Sequence, residues 1–526
     1  MPISVELIGA SIFTVFCIVL ARFYSLINRA YAYWDRKNVS GPRPVYVYGS
    51  WKGLNEKFLG SEDIINSKKY GKIYGTYDGI TPNLLVTDPK IIKEILDTNS
   101  DNFKDVRVNS ENSIILKDSL LSLCGGEKSE VQILTNSLLN PQKLGKLFPK
   151  LVSSVEILIR TISKNRQENN CLDVTSSISE FIDDAVANSI FGIELDADVE
   201  FKEEFVNNSR KIFSVSDPNA LTSLRFVLYE NYFKEFWICP EKTLQYFVNL
   251  AITGITDTTA NLNSILEEKS SSLVQLLVEA AEEEKKLKIK KKDDEEDDSD
   301  DVILKDNVII SKCIATMLSL SIATKTTVIL GLYALAKNEI HQEEVFKEIQ
   351  KNKTKGKLTY EDIQNLNYLD KIVKEVLRLY PFEFRLEKLC VKKTVIGNVE
   401  VDENVKVSIP LYALHRSEDI YPEPEKFEPE RFAENSSENP SPFSYLPFGQ
   451  AGINGSDFSI QLGILASKLT LFKLIEKFQF SIEQKDKSLS GLFKQGLTRI
   501  PRPEKIELFV KNRGEEEEEE GNNTNN

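Results

Sequence analysis

Glu375 and Arg378 stand three residues apart in a helical stretch, so a carboxylate and a guanidinium fork meet on one face. Arg431 could bring a second guanidinium to the same carboxylate, a geometry suited to a buried ion pair. The other candidates for chemistry are few. Two histidines, His341 and His415, cannot build a histidine metal site. His341 is expected to face solvent on a charged stretch. Six cysteines show no CxxC and no regular spacing, which excludes a disulfide scaffold and a zinc ribbon. Cys124 and Cys313 read as small buried apolar residues, and Cys390 is the last cysteine in the chain.

The elements that must position these residues are mostly helical. Lys72–Tyr77 and Asn83–Thr87 read as two strands joined at Asp78-Gly79, and Asp88-Pro89 opens a helix. Leu144–Ile162 and Ser177–Phe191 carry helical stripes. Lys305–Asn338 is apolar and free of proline, but Lys312 and Lys325 sit inside it. Lipid would resist those charges, so it reads as a central core helix. Tyr360–Leu379 is expected as one helix, Asn398–Val407 as strand, Tyr421–Pro447 as ordered coil, and Ile460–Phe478 as a final helix.

The 526 residues are 41% hydrophobic, which excludes wholesale disorder. The net charge of −14 argues against nucleic-acid binding. That charge is concentrated in the run 282–301 and in Glu515–Glu520, both expected as solvated disordered segments. Residues 7–21 (LIGASIFTVFCIVLA) carry no charge, and Phe23, Tyr24, Leu26 and Ile27 extend them. About 20 apolar residues cross a bilayer, so residues 1–28 read as a membrane anchor. Arg29, Arg36 and Lys37 follow it and place the rest on the cytoplasmic side. Gly41-Pro42-Arg43-Pro44 reads as a stiff hinge within a linker, 29–44. A body over 45–505 and an acidic disordered tail over 506–526 complete the expected organisation.

From Thr359 to Phe480 the chain resembles the cytochrome P-450 superfamily, the haem-thiolate monooxygenases. The resemblance rests on Glu375-Val-Leu-Arg378, RLEKLC (Arg385–Cys390), YALHR (Tyr412–Arg416), YPEPEKFEPERF (Tyr421–Phe432) and Leu446-Pro447-Phe448-Gly449. The wording is closest to the microsomal animal drug- and steroid-oxidising branch. A weaker likeness extends over 41–505. The resemblance implies a mainly α fold with a small β subdomain near the N-terminus. It further implies a haem cofactor, a small hydrophobic ligand, a reductase or other membrane partner, and the endoplasmic reticulum membrane with the body facing the cytosol. It makes Glu375, Arg378 and Arg431 a structural triad. Thr326 becomes the alcohol of the family's acid–alcohol pair, Arg385 a propionate-binding residue, and Phe448 and Gly449 the opening of the cysteine loop.

The chain departs from this pattern at the chemistry. Counted forward from Phe448, the family's cysteine falls on Gly455; counted backward from Lys468, it falls on Asp457. Ile453 takes the place of the loop arginine, and Lys325 the place of the acid before Thr326. An early helix carries Lys128 and Gln132 where the family holds a haem propionate with Trp and Arg. A thiolate is what favours O–O cleavage at the iron. The expectation is a pseudoenzyme that binds a ligand or partner. The alternative is a haem-dependent monooxygenase or an isomerase-type oxidoreductase acting on small hydrophobic substrates. Tyr445, another residue type able to ligate haem, is expected to pack in the core.

Overall fold

A 32-residue helix, Asp306–Lys337, runs through the core, about 48 Å long at 1.5 Å per residue. The computed structural model describes residues 5–46, 48–50, 59–105, 141–165, 170–212, 241–261, 271–292, 305–353, 356–436, 440–449, 457–482 and 505–513. The helices that matter below are α1 (Val5–Tyr31), α2 (Pro141–Asn165), α3 (Val174–Val186), the core helix α4 (Asp306–Lys337), α5 (Asn367–Leu379) and α6 (Phe458–Lys477). Leu320–Thr324 forms a π turn within α4, a widening that inserts one residue per turn. Apolar side chains surround α4 from Val308 to Ala336, which is why this long apolar helix needs no bilayer.

Near the N-terminus a five-stranded sheet forms from β1 (Ile73–Asp78), β2 (Thr81–Val86), β3 (Phe103–Asp105), β4 (Leu386–Cys390) and β5 (Lys406–Ile409), in the order β1-β2-β5-β4-β3. β1 and β2 form a hairpin whose turn uses Gly79 at φ +62°, a conformation that favours glycine. β2 pairs with β5 in parallel, Leu84 opposite Val407. Asp88 caps the following helix by accepting from Lys90 N–H, with Pro89 at its first position. A second sheet joins Cys171–Asp173, Glu507–Asn512 and Phe478–Ser481, so the first residues of the expected disordered tail are instead a strand paired on both sides.

Several expectations are corrected. Tyr360–Leu379 is two helices, Tyr360–Gln364 and α5, separated at Asn365 and Leu366. Thr359 closes a capping box with Asp362 that starts the first piece afresh. Asn398–Val407 is not one strand: Thr394–Ile396 pairs with Val399–Val401 about a turn at Gly397, and β5 follows. The charged run is helical in its first half, since a helix spans Leu273–Lys292; residues 293–301 and 515–520 lie outside the described residues. Residues 29–37, expected to lead into a hinge, dock on the sheet through Trp34, which is buried.

Candidate functional site

The triad pins the long coil to the core. Glu375 and Arg378 on α5 are fully buried. Arg378 donates from Nε to Glu375 Oε2 at 2.7 Å and from Nη2 to Oε1 at 2.9 Å. The same guanidinium donates to the carbonyls of His415 and Pro424 at 2.7 and 2.8 Å. Glu375 also accepts the Glu428 N–H at 2.9 Å, and Arg431 Nε approaches it at 3.8 Å. Tyr421 lies under the Arg378 guanidinium. One helical turn thus ties down the coil from His415 to Arg431.

His415 is buried and works as a structural clip. Its Nε2 accepts the Leu446 N–H at 2.9 Å, so the proton sits on Nδ1 and is donated to the Arg378 carbonyl at 3.1 Å. Burial, and then the positive charge of Arg378, lower its pKa to about 3. Tyr445 donates its phenol to the Lys374 carbonyl and packs against His415 and Phe432. His341 is half-buried, not solvent-facing: Tyr368 shares a 2.8 Å hydrogen bond with its Nδ1, and Phe427 packs edge-on against it.

The core helix and α6 lie directly against each other. Thr316 and Ser459 share a hydroxyl hydrogen bond at 2.9 Å, and Thr324 donates to the Gly463 carbonyl at 3.2 Å. Asp457 caps α6, accepting from Ser459 N–H and Ile460 N–H at 2.8 and 3.2 Å. Its other oxygen is 3.8 Å from the ammonium of Lys312, which is 1% exposed. Beside this contact Ile322, Ala323 and Phe382 form a small buried cluster, with Phe448 packed on it, its ring 6.3 Å from that of Phe382. Gly449 follows at φ +58° with the Leu386 side chain beside it. Gly455, Ile453, Lys128 and Gln132 lie outside the described residues.

Thr326 is buried in α4, and Lys325 is half-buried beside it. Lys325 lies within electrostatic reach of Asp183 of α3. Burial raises the Asp183 carboxyl to about 6, while the Ser209 hydroxyl, Lys325 and Arg210 act to lower it. Asp183 also lines a cleft of about 640 Å³ between α2, α3 and the helix Val199–Ser209. Arg385 is buried and forked on Asp63, with Nε donating to Oδ2 at 2.7 Å and Nη2 paired with Oδ1. Burial pushes the Asp63 carboxyl up, and the charge and hydrogen bonds of Arg385 pull it down.

Asp63, Asp183 and the Lys312–Asp457 pair were not singled out from the sequence. Asp63 is 322 residues from its partner Arg385, and no local pattern marks it. Among the described residues no group of three or more His, Cys, Asp or Glu could hold a metal ion. The Cys313 thiol is fully buried and pushed up to about 12 by that burial, which disfavours a thiolate. Cys390 donates to the Lys392 carbonyl at the end of β4.

A mainly helical body with a small N-terminal sheet, an arginine–glutamate triad and a Phe-Gly loop before the last long helix defines a cytochrome P-450 architecture. The family model described as Cytochrome P450 matches residues 39–508, and the chain belongs to that family. The chain is similar to Cytochrome P450 3A28 of Bos taurus, 26% identical over 495 residues that cover 92% of this chain and 93% of the relative. It is likewise similar to Cytochrome P450 3A29 of Sus scrofa, 26% identical over 500 residues, 93% and 95% of the two chains. Cytochrome P450 3A1 of Rattus norvegicus is 26% identical over 502 residues, 92% and 94%. The family is one of haem proteins.

Proposed function

We propose that this protein keeps the cytochrome P-450 scaffold but not its oxygen-activating centre, and acts as a binding or partner protein. In this reading α1 anchors it in the endoplasmic reticulum membrane with its body in the cytosol. Its ligand is a small hydrophobic molecule or a membrane protein such as a reductase.

The observation that carries the reading is Asp457. At the backward-counted ligand position stands a carboxylate already committed to capping α6 and to the buried Lys312. No cysteine follows Cys390. The donor set there does not fit a thiolate-bound iron, whose bond oxygen activation depends on. Two further changes support it. Arg385, at the propionate place, is neutralised by a protein carboxylate, Asp63. Lys325, in the place of the family's acid, brings a cation beside Thr326, within electrostatic reach of Asp183.

The test is spectroscopic. The full chain, purified from membranes, is expected to give no thiolate-type Soret band when reduced under carbon monoxide. Appearance of that band would overturn the reading in favour of a monooxygenase. Stoichiometric haem with a different spectrum would instead favour isomerase-type chemistry through another ligand. Sequencing the transcript across residues 446–465 tests whether a cysteine is encoded there.

A further inference from the structure

The C-terminal third of α1 is gripped by the body. Ile27 is fully buried although Phe23, Tyr24 and Leu26 around it are exposed. Tyr31 donates its phenol to the Val45 carbonyl at 3.0 Å and accepts the Gly49 N–H at 3.2 Å. Tyr77 of β1 donates to the Tyr31 carbonyl at 2.7 Å and accepts the Trp34 N–H at 3.1 Å. The Trp34 indole donates to the Thr76 carbonyl at 2.8 Å and lies on Gly75, where an added Cβ would come within 2.4 Å of the ring. Tyr33 and Lys37 reach Asp402 at 2.9 and 2.8 Å. Outermost, Tyr24 of α1 stacks on Tyr46 at 5.4 Å, both rings exposed.

We propose that α1 and the β1–β2 sheet form one rigid body, and that the Tyr24–Tyr46 stack seats this edge of the protein in the phospholipid headgroup layer. The proposal rests on the anchor reading above. The occupant follows from continuity with the apolar segment: Ser11–Tyr31 has a mean hydropathy of 1.7 and is 6% buried. A hydrocarbon core takes about 20 helical residues, which from Leu7, where the uncharged stretch begins, ends at Leu26, within one helical turn of Tyr24. Tyrosine rings, apolar with one polar end, favour that level. Exposed Arg29, Arg36 and Arg43 lie just beyond it, where lipid phosphates attract them. A helix joined through Trp34, Tyr31 and Tyr77 cannot swivel, so the tilt of α1 dictates which face of the body meets the membrane.

The test uses the full chain in membranes. In a Cys17→Ser background, Tyr24→Cys and Tyr46→Cys are treated with a short bifunctional thiol reagent, digested with trypsin and read by mass spectrometry. A linked pair of peptides is expected in most molecules, and Trp34→Ala should reduce it several-fold. No link in protein that still resists carbonate extraction would overturn the rigid joint. Release by carbonate would instead overturn the anchor reading. For the lipid level, Tyr46→Trp is made in a Trp51→Phe, Trp237→Phe background and reconstituted in brominated-phospholipid vesicles. The same background with Tyr46 retained supplies the emission of the buried Trp34 for subtraction. Quenching of the indole introduced by Tyr46→Trp is expected; unchanged emission from it would overturn the headgroup placement.

Discussion

His415 is neutral in the folded chain because burial disfavours a charged ring, and protonation would also place a second cation against Arg378 and break the hydrogen bond from Leu446. Its folded pKa, about 3, lies below the unfolded value of about 6.5. Between those limits the unfolded state binds more protons, so folding stability falls as pH drops below about 6.5, by about 1.4 kcal/mol per pH unit for one group. Denaturant titrations at pH 6.5 and 5.5 should differ by about 1 kcal/mol from this group in the wild type, the full slope being reached only below about pH 5.5, and His415→Gln should lose that difference. An equal slope in both would mean another group carries it. Asp63 and Arg385 make a second residue-scale case. Asp63→Ala leaves a buried guanidinium uncompensated and should cost about 3–5 kcal/mol. Adding Arg385→Met should recover much of that loss, because a buried pair contributes less than its desolvation costs. A double mutant no more stable than Asp63→Ala would show that the guanidinium has other indispensable partners.

At the scale of elements, α5 and the Trp34 dock carry the most structure per residue. Arg378→Ala or Glu375→Ala removes the clamp on the coil from His415 to Arg431 and should lower stability by about 3–5 kcal/mol. Against a typical folding stability of about 5–15 kcal/mol, soluble yield should collapse. Wild-type-like melting in both would contradict the buried clamp. Gly75→Ala should be felt well beyond one methyl group, since its Cβ would strike the Trp34 ring. Overpacking of this kind costs about 1–3 kcal/mol, and a matching fall in melting temperature checks it. The Glu375–Arg378 pair was readable in advance because i,i+3 spacing is a local property of a helix, and Arg431 joined it only through the resemblance. The break at Asn365 and the docking of Trp34 were not. At the first, Leu366 leaves the helical backbone conformation and no side-chain cap marks the restart, and the second depends on a strand more than 40 residues away.

For the whole molecule, the joint between anchor and body predicts that where the chain is cut matters more than how much is removed. Deleting residues 1–22 should remove membrane crossing but keep the melting temperature of the body, because Ile27, Tyr31 and Trp34 remain. Deleting residues 1–37 bares Gly75 and Thr76 and should lower it by several degrees. Equal melting of the two truncations would place the stability of the sheet elsewhere. The charged helix that ends at Lys292 should resist trypsin better than an extended segment would, since protease needs an unfolded strand.

The sequence by itself determined the family, the mainly helical architecture, the apolar N-terminal segment, the core helix and the triad, because each is written in local spacing, hydropathy or contiguous wording. It also determined that no cysteine lies beyond Cys390. Only the tertiary structure decided how the buried charges pair. Asp457 meets Lys312 across the contact of α4 with α6, and Asp63 meets Arg385 from a helix far upstream. In each case a buried charge requires a counter-charge in space. Space, unlike spacing along the chain, exists only once the helices have packed.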